Sequence, residues 1–184
     1  MSNYQRVYIP GGTYFFTLVT HKRLSFLTSP HARKVLHESW RDVQRKWAFS
    51  LIALYLLPDH LHCIWKLPDN DSDYSARWQR IKSTFSMNID PAVLPRAKSS
   101  DSRISKREVA VWQRRFWEHA IRDQTDLNRH IDYIHFNPVK HRCVLKAAEW
   151  PWSTFHCYLS HGVYDPDWGD ISEQDRYSIH TTGE

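Results

Sequence analysis

The chain has 184 residues, 41% hydrophobic and 14% aromatic, which predicts one domain with a proper core and excludes a disordered chain. A formal charge of +5 and a pI near 9.2 favour an anionic partner, nucleic acid first. The longest apolar run, Leu51 to Leu57, is far short of a membrane span.

In chain order, a Gly11-Gly12 turn leads into a β-rich run and predicts a strand over about 12–20. Ser29-Pro30 has the form of an N-cap with Pro at the first helical position. Val35, Leu36, Trp40, Val43 and Trp47 follow at helical spacing and predict a helix over about 30–47. Strands follow at about 49–57 and 60–67. The tight Pro58-Asp59 connection predicts that they pair as a hairpin, with Asp59 in a turn role. A second helix is expected over about 73–87, with Trp78, Ile81 and Phe85 inward and Arg77, Arg80 and Lys82 available to an anion. Residues 89–108 read equally well as a plain linker or as a basic loop that orders on a phosphate backbone. Val109 to Arg122 reads as a strand or broken strand pair. Asp123 to Asp126 has the acidic character of a helix start, and the helix is expected over about 124–136, stopped by Asn137-Pro138. A last short helix is expected over about 151–160. The domain then spans 1–165, with a tail at 166–184.

The resulting order, β-α-β-β-α-β, predicts an α+β, ferredoxin-like (split βαβ) antiparallel sheet with helices on one face and the 124–136 helix appended. Cys63, Cys143 and Cys157 are odd in number, widely spaced and without a CxxC, against a disulfide framework or zinc knuckle. A reducing cytoplasm is the simplest setting. Met1 to Arg6 lacks the apolar region of a signal peptide.

The chemistry centres on His60-Leu61-His62. Alternation along a strand sends His60, His62 and Ile64 to one face, and Leu61, Cys63 and Trp65 to the other. Two imidazoles so placed can hold one divalent cation, although such a pair on a strand is more often a surface feature. On the later helix Tyr133 and Asn137 share a face, four residues apart. If that face packs over the histidines, His60, His62 and Asn137 surround a metal with the Tyr133 hydroxyl adjacent. Tyr133 could equally be a half-buried helix aromatic, and Asn137 a helix stop before Pro. His130 and His135 read as structural or DNA-facing, and the roles of Glu118 and His119 stay open.

Three segments together carry a family resemblance. They are His60 to Trp65, Arg115-Phe116-Trp117-Glu118-His119-Ala120-Ile121-Arg122, and Tyr133-Ile134-His135-Phe136-Asn137-Pro138-Val139-Lys140-His141. They resemble the REP-associated tyrosine transposases, single-tyrosine HUH transposases, over about residues 7–170. The resemblance implies His60 and His62 as metal ligands, Asn137 as the third, Tyr133 as nucleophile, and Mg²⁺ or Mn²⁺ as the ion. Insertion-sequence relatives usually carry Gln at the last position, one methylene longer. It further implies cleavage of single-stranded DNA at REP hairpins beside a flanking tetranucleotide, through a 5′-phosphotyrosine with a 3′-hydroxyl released. The setting it implies is cytoplasmic and nucleoid-associated, and the expected state a monomer. Arg77, Arg80, Arg114, Arg115 and Lys140 are the candidate DNA contacts. Trp78 or Trp112 could stack bases, but core packing is favoured for each. Two other classes compete: a non-catalytic single-stranded nucleic-acid-binding module on the same sheet, and a zinc hydrolase. A module would lack chelator sensitivity, and hydrolases with His-x-His usually bring more His and Asp ligands.

Overall fold

The computed structural model describes residues 6–95 and 111–170. Four strands, β1 Thr13–Val19, β2 Ser50–Leu56, β3 His60–Lys66 and β4 Trp117–Ala120, form one antiparallel sheet in the order β2-β3-β1-β4. The α-helices are α1 Pro30–Lys46, α2 Tyr74–Asn88, α3 Gln124–Lys140 and α4 Phe155–Ser160. This is the expected ferredoxin-like α+β arrangement, with β1 and β3 in the middle.

Local chemistry sets the helix starts. Ser29 accepts from the Ala32 N–H, Asp73 from the Ala76 N–H and Asp123 from the Asp126 N–H. Each side chain satisfies an N–H that the first helical turn leaves unpaired.

Both faces of β3 are buried, and the alternation sorts them as expected. Leu61, Cys63 and Trp65 join α1 and α2 in one core, where Trp65 stacks on Trp78 at 4.0 Å between ring centroids. Each fully buried large apolar side chain there contributes about 1.5–3 kcal/mol. On the other face Phe15, Tyr55 and Ile64 pack against Ile131 and Ile134 of α3 and Phe155 of α4. The sheet therefore carries α1 and α2 on one side and the appended α3 on the other, over His60 and His62.

Two element ends differ from the sequence expectation. Helix α3 does not stop at Asn137 but runs through Pro138 to Lys140. Pro138 sacrifices one helical hydrogen bond. Burial of Pro138 and Val139 offsets that loss, and the helix end is tied down by His141 N–H to Asn137 O at 2.9 Å and Cys143 N–H to Pro138 O at 2.9 Å. Helix α4 starts at Phe155 rather than 151, because the preceding residues pair with β2. Leu56 N–H donates to Trp152 O and Thr154 N–H to Leu54 O, both at 2.9 Å, so this segment covers a strand edge that would otherwise be open. The broken strand reading for 109–122 corresponds to a Thr20–Trp112 bridge followed by β4. Residues 96–108 of the basic loop, 109–110 of the broken strand reading, and 171–184 of the tail lie outside the described residues. No described helix is long and apolar enough to cross a membrane.

Candidate active site

The His60 and His62 rings sit 5.1 Å apart between centroids, on the sheet face beneath α3. Both are buried, and each is held by its neighbours. His60 Nδ1 donates to the Asp59 carboxylate at 2.6 Å, which leaves Nε2 as the acceptor; the Tyr55 hydroxyl donates to it at 3.0 Å. Asp59 thus does more than turn the chain: it orients an imidazole, as carboxylates do behind metal-binding histidines. His62 Nδ1 pairs with Thr17 Oγ1 at 2.8 Å, which leaves its Nε2 for a ligand. Burial, then the proximity of His60 and His141, holds His62 well below its usual pKa range. A neutral imidazole is the form that binds a metal.

Tyr133 and His62 are brought together, their ring centroids 5.5 Å apart. Phe15 fixes both, at 5.2 Å from His62 and 5.9 Å from Tyr133. Tyr133 remains 39% exposed at an open cavity of ≈ 430 Å³, lined by Phe15, Thr17 and His62 of the sheet, Trp117 of β4, and Arg129 and His130 of α3. Lys140 places its ammonium 5.3 Å from the Tyr133 ring centroid, so this candidate DNA contact belongs to the surroundings of the phenol.

Asn137 is fully buried one turn beyond Tyr133. Its amide nitrogen donates to Tyr133 O at 3.3 Å, while Oδ1 has no hydrogen-bond partner among the described residues. A buried carbonyl oxygen left unpaired costs about 1–3 kcal/mol. Such an oxygen is, like an imidazole nitrogen, a donor that suits a divalent ion.

Arg77 does not join the site. It is buried, and its guanidinium is consumed by Asp71, at 2.6 Å, and by the carbonyls of Ala48 and Asp73, at 2.9 and 2.8 Å. The expectation that it contacts DNA is therefore corrected. Arg80, Arg114 and Arg115 are exposed. Trp78 and Trp112 are core residues, whereas Trp117, 49% exposed at the cavity rim, is the ring open to a base.

Sequence reasoning missed a second cluster. His119, Asp126 and His130 bring their ligand atoms within 4.8 Å of one another, a group that could hold a metal ion. The Asp126–His130 spacing of four on a helix was a usable signal. The entry of His119 depends on β4 lying beside β1.

A split βαβ sheet carrying a His-x-His strand under a helix-borne tyrosine is the layout of a single-tyrosine HUH transposase. Residues 10–137 match the family described as "Transposase IS200 like". The chain is 41% identical over 175 residues to the "REP-associated tyrosine transposase" of Escherichia coli (strain K12), covering 94% of each. It is similar, at 40% identity, a TM-score of 0.75 and 94% coverage of both chains, to a solved structure described as "Structure of the REP associates tyrosine transposase bound to a REP hairpin". The chain belongs to the IS200-like transposase family, in its REP-associated tyrosine transposase branch, and is a transposase.

Proposed function

We propose that this transposase cuts and rejoins single-stranded DNA at REP-type hairpins, with Tyr133 as nucleophile and His60, His62 and Asn137 as holders of Mg²⁺ or Mn²⁺. The observation that carries the reading is the exposed Tyr133 ring beside His62 at an open cavity. A bound divalent ion supplies charge neutralisation and polarisation of a phosphodiester. Tyr133 Oη attacks phosphorus in line, forming a 5′-phosphotyrosine and releasing a 3′-hydroxyl. The ester energy is conserved, so rejoining needs no ATP. Two imidazoles and one amide oxygen would leave coordination positions open for a phosphate oxygen.

Arg80, Arg114, Arg115 and Arg129 contact phosphates, which fix register without reading sequence. Trp117 offers an exposed ring on which an unpaired base can stack. The relative bound to a REP hairpin supports a hairpin as the partner, and the proposal adds a flanking tetranucleotide beside it. The chain works on chromosomal DNA in the cytoplasm, as a monomer.

The test is incubation of the full chain with labelled single-stranded hairpin oligonucleotides and Mn²⁺. A denaturing gel should show a chelator-sensitive covalent adduct, mapped to Tyr133 by mass spectrometry. A tight complex that is indifferent to chelator and never covalent would instead identify a binding module.

A further inference from the structure

His119, Asp126 and His130 have the spacing of a cation site, yet their protons argue for another use. His130 Nδ1 lies 2.8 Å from the backbone carbonyl of Asp126 and 3.1 Å from its Oδ1. A carbonyl oxygen only accepts, so Nδ1 carries the hydrogen. His119 Nε2 lies 2.8 Å from Asp126 Oδ2 and likewise donates. Arg122 adds two further donors to Oδ2, its N–H at 3.1 Å and its Nε at 3.2 Å. Burial works to raise the Asp126 pKa, but these hydrogen bonds outweigh it and hold the carboxyl well below the usual range. A metal ion would have to displace two imidazole protons and a guanidinium from this carboxylate. The cluster as built is a fixed anion that locks two histidine tautomers.

The consequence falls on His130. With Nδ1 committed to Asp126, its Nε2 is the nitrogen left over for proton exchange, without a hydrogen-bond partner among the described residues. The ring is clamped between His119, at 4.7 Å and nearly parallel, and Phe15, at 4.9 Å. It lines the same cavity as Tyr133 and sits three residues before it, on one helix face. Arg129 and His62 also line this cavity.

We propose that His130 is the proton acceptor for the Tyr133 phenol, with Asp126 and His119 as its positioning residues. This rests on Tyr133 being the nucleophile. As the Tyr133 Oη–P bond forms and the P–O3′ bond breaks, the phenolic proton passes to His130 Nε2. The departing 3′-oxygen takes its proton from solvent at the open cavity, so that one proton taken from Tyr133 to His130 is matched by one given to O3′ and the solvent buffer absorbs the hydroxide. On rejoining, the 3′-hydroxyl attacks phosphorus and gives its proton to water, the Oη–P bond breaks, and protonated His130 returns its proton to the leaving phenolate. General acid–base help of this kind is worth about 10²–10⁴-fold.

The experiment measures adduct formation by the full chain on labelled single-stranded REP-hairpin oligonucleotides with Mn²⁺. His130→Ala and His130→Gln should bind the hairpin normally and form adduct about 10²-fold or more slowly. Added imidazole should partly restore His130→Ala, a response that a merely structural role would not give. Replacing Tyr133 by a more acidic fluorinated tyrosine should shrink the deficit. Adduct formation by both variants within a few-fold of wild type would overturn the assignment and leave the Tyr133 reading intact. So would a loss that neither imidazole nor the acidic phenol repairs. Adduct formation by Tyr133→Phe at the wild-type rate would instead remove the nucleophile assignment on which this rests.

Discussion

The rings of His62 and Tyr133 meet edge to face at 5.5 Å, one from a central strand and the other from a helix laid across it. On the proposed reading, that meeting joins the cation site to the nucleophile. Tyr133→Phe keeps the ring and its contacts with Phe15 and His62, and removes only the hydroxyl. Adduct formation should fall to background while hairpin affinity stays within a few-fold, as read by gel shift beside a denaturing gel. Full cleavage by this variant would end the assignment.

Asp59 should govern metal affinity without touching the ion. It accepts a hydrogen bond from His60 Nδ1 at 2.6 Å and so keeps Nε2, which accepts from the Tyr55 hydroxyl at 3.0 Å, as the nitrogen an ion would take over. Removing such a supporting carboxylate typically costs 10–100-fold in metal affinity or activity. Asp59→Ala should therefore raise the Mn²⁺ concentration needed for half-maximal adduct formation by that factor. An unchanged Mn²⁺ requirement would mean that His60 needs no such orientation.

Asn137 poses a choice between stability and function. Its Oδ1 is buried without a partner among the described residues, which is unfavourable in the absence of an ion. Asn137→Leu keeps the branched four-atom skeleton, is bulkier by its two methyl groups, and carries no polar side-chain atoms. The recovered desolvation of Oδ1 and the overpacking by the methyl groups are each about 1–3 kcal/mol, so thermal stability without metal should stay close to wild type, while Mn²⁺-dependent adduct formation should be lost. A large fall in metal-free stability would show that the amide serves the fold instead.

Much of this site was legible in the chain, because its parts are local patterns. His60 and His62 follow from strand alternation, and the shared face of Tyr133 and Asn137 from helical spacing. What was not legible depends on long-range placement. Nothing in Arg77-Arg80 says which guanidinium turns inward to Asp71 and two carbonyls, and which stays in solvent. Pro138 is a reliable helix breaker locally, yet here the buried Val139 draws the helix onward. His119 reaches Asp126 only because β4 pairs with β1, a pairing that single-sequence periodicity does not encode.

Arg77 makes that distinction measurable. Arg77→Ala strands Asp71 and leaves the carbonyls of Ala48 and Asp73 without their donor. Asp71 can rehydrate, so the loss should be about 2–4 kcal/mol rather than more. Salt dependence of hairpin binding should be unaltered, because no phosphate contact is removed. Arg115→Ala should show the opposite pattern, with stability kept and the salt slope reduced by about one. A reduced salt slope for Arg77→Ala would return it to the DNA interface.

His135 should make the fold acid-sensitive. It is fully buried beneath α4, and burial lowers its pKa to about 4 from the usual 6.5. The Tyr164 hydroxyl donates to Asp132 at 2.8 Å, so it accepts from His135 Nδ1 at 3.0 Å; His135 Nε2 lies 2.8 Å from Thr154 Oγ1. The neutral ring thus ties α3 to the segment that covers β2. In the unfolded chain the imidazole takes up a proton as pH falls through about 6.5, whereas the native ring resists until about 4. The unfolded state binds more protons in that window, so stability is greatest above pH 6.5 and declines toward pH 4. The loss has an upper bound of about 3.5 kcal/mol, at about 1.4 kcal/mol per pH unit. Urea midpoints measured between pH 7.5 and 4.5 should follow this decline. His135→Gln, less stable at neutral pH, should show a shallower decline, because part of the slope belongs to His62, whose burial shifts it the same way. Parallel curves for the two proteins would show that His135 does not carry the acid response.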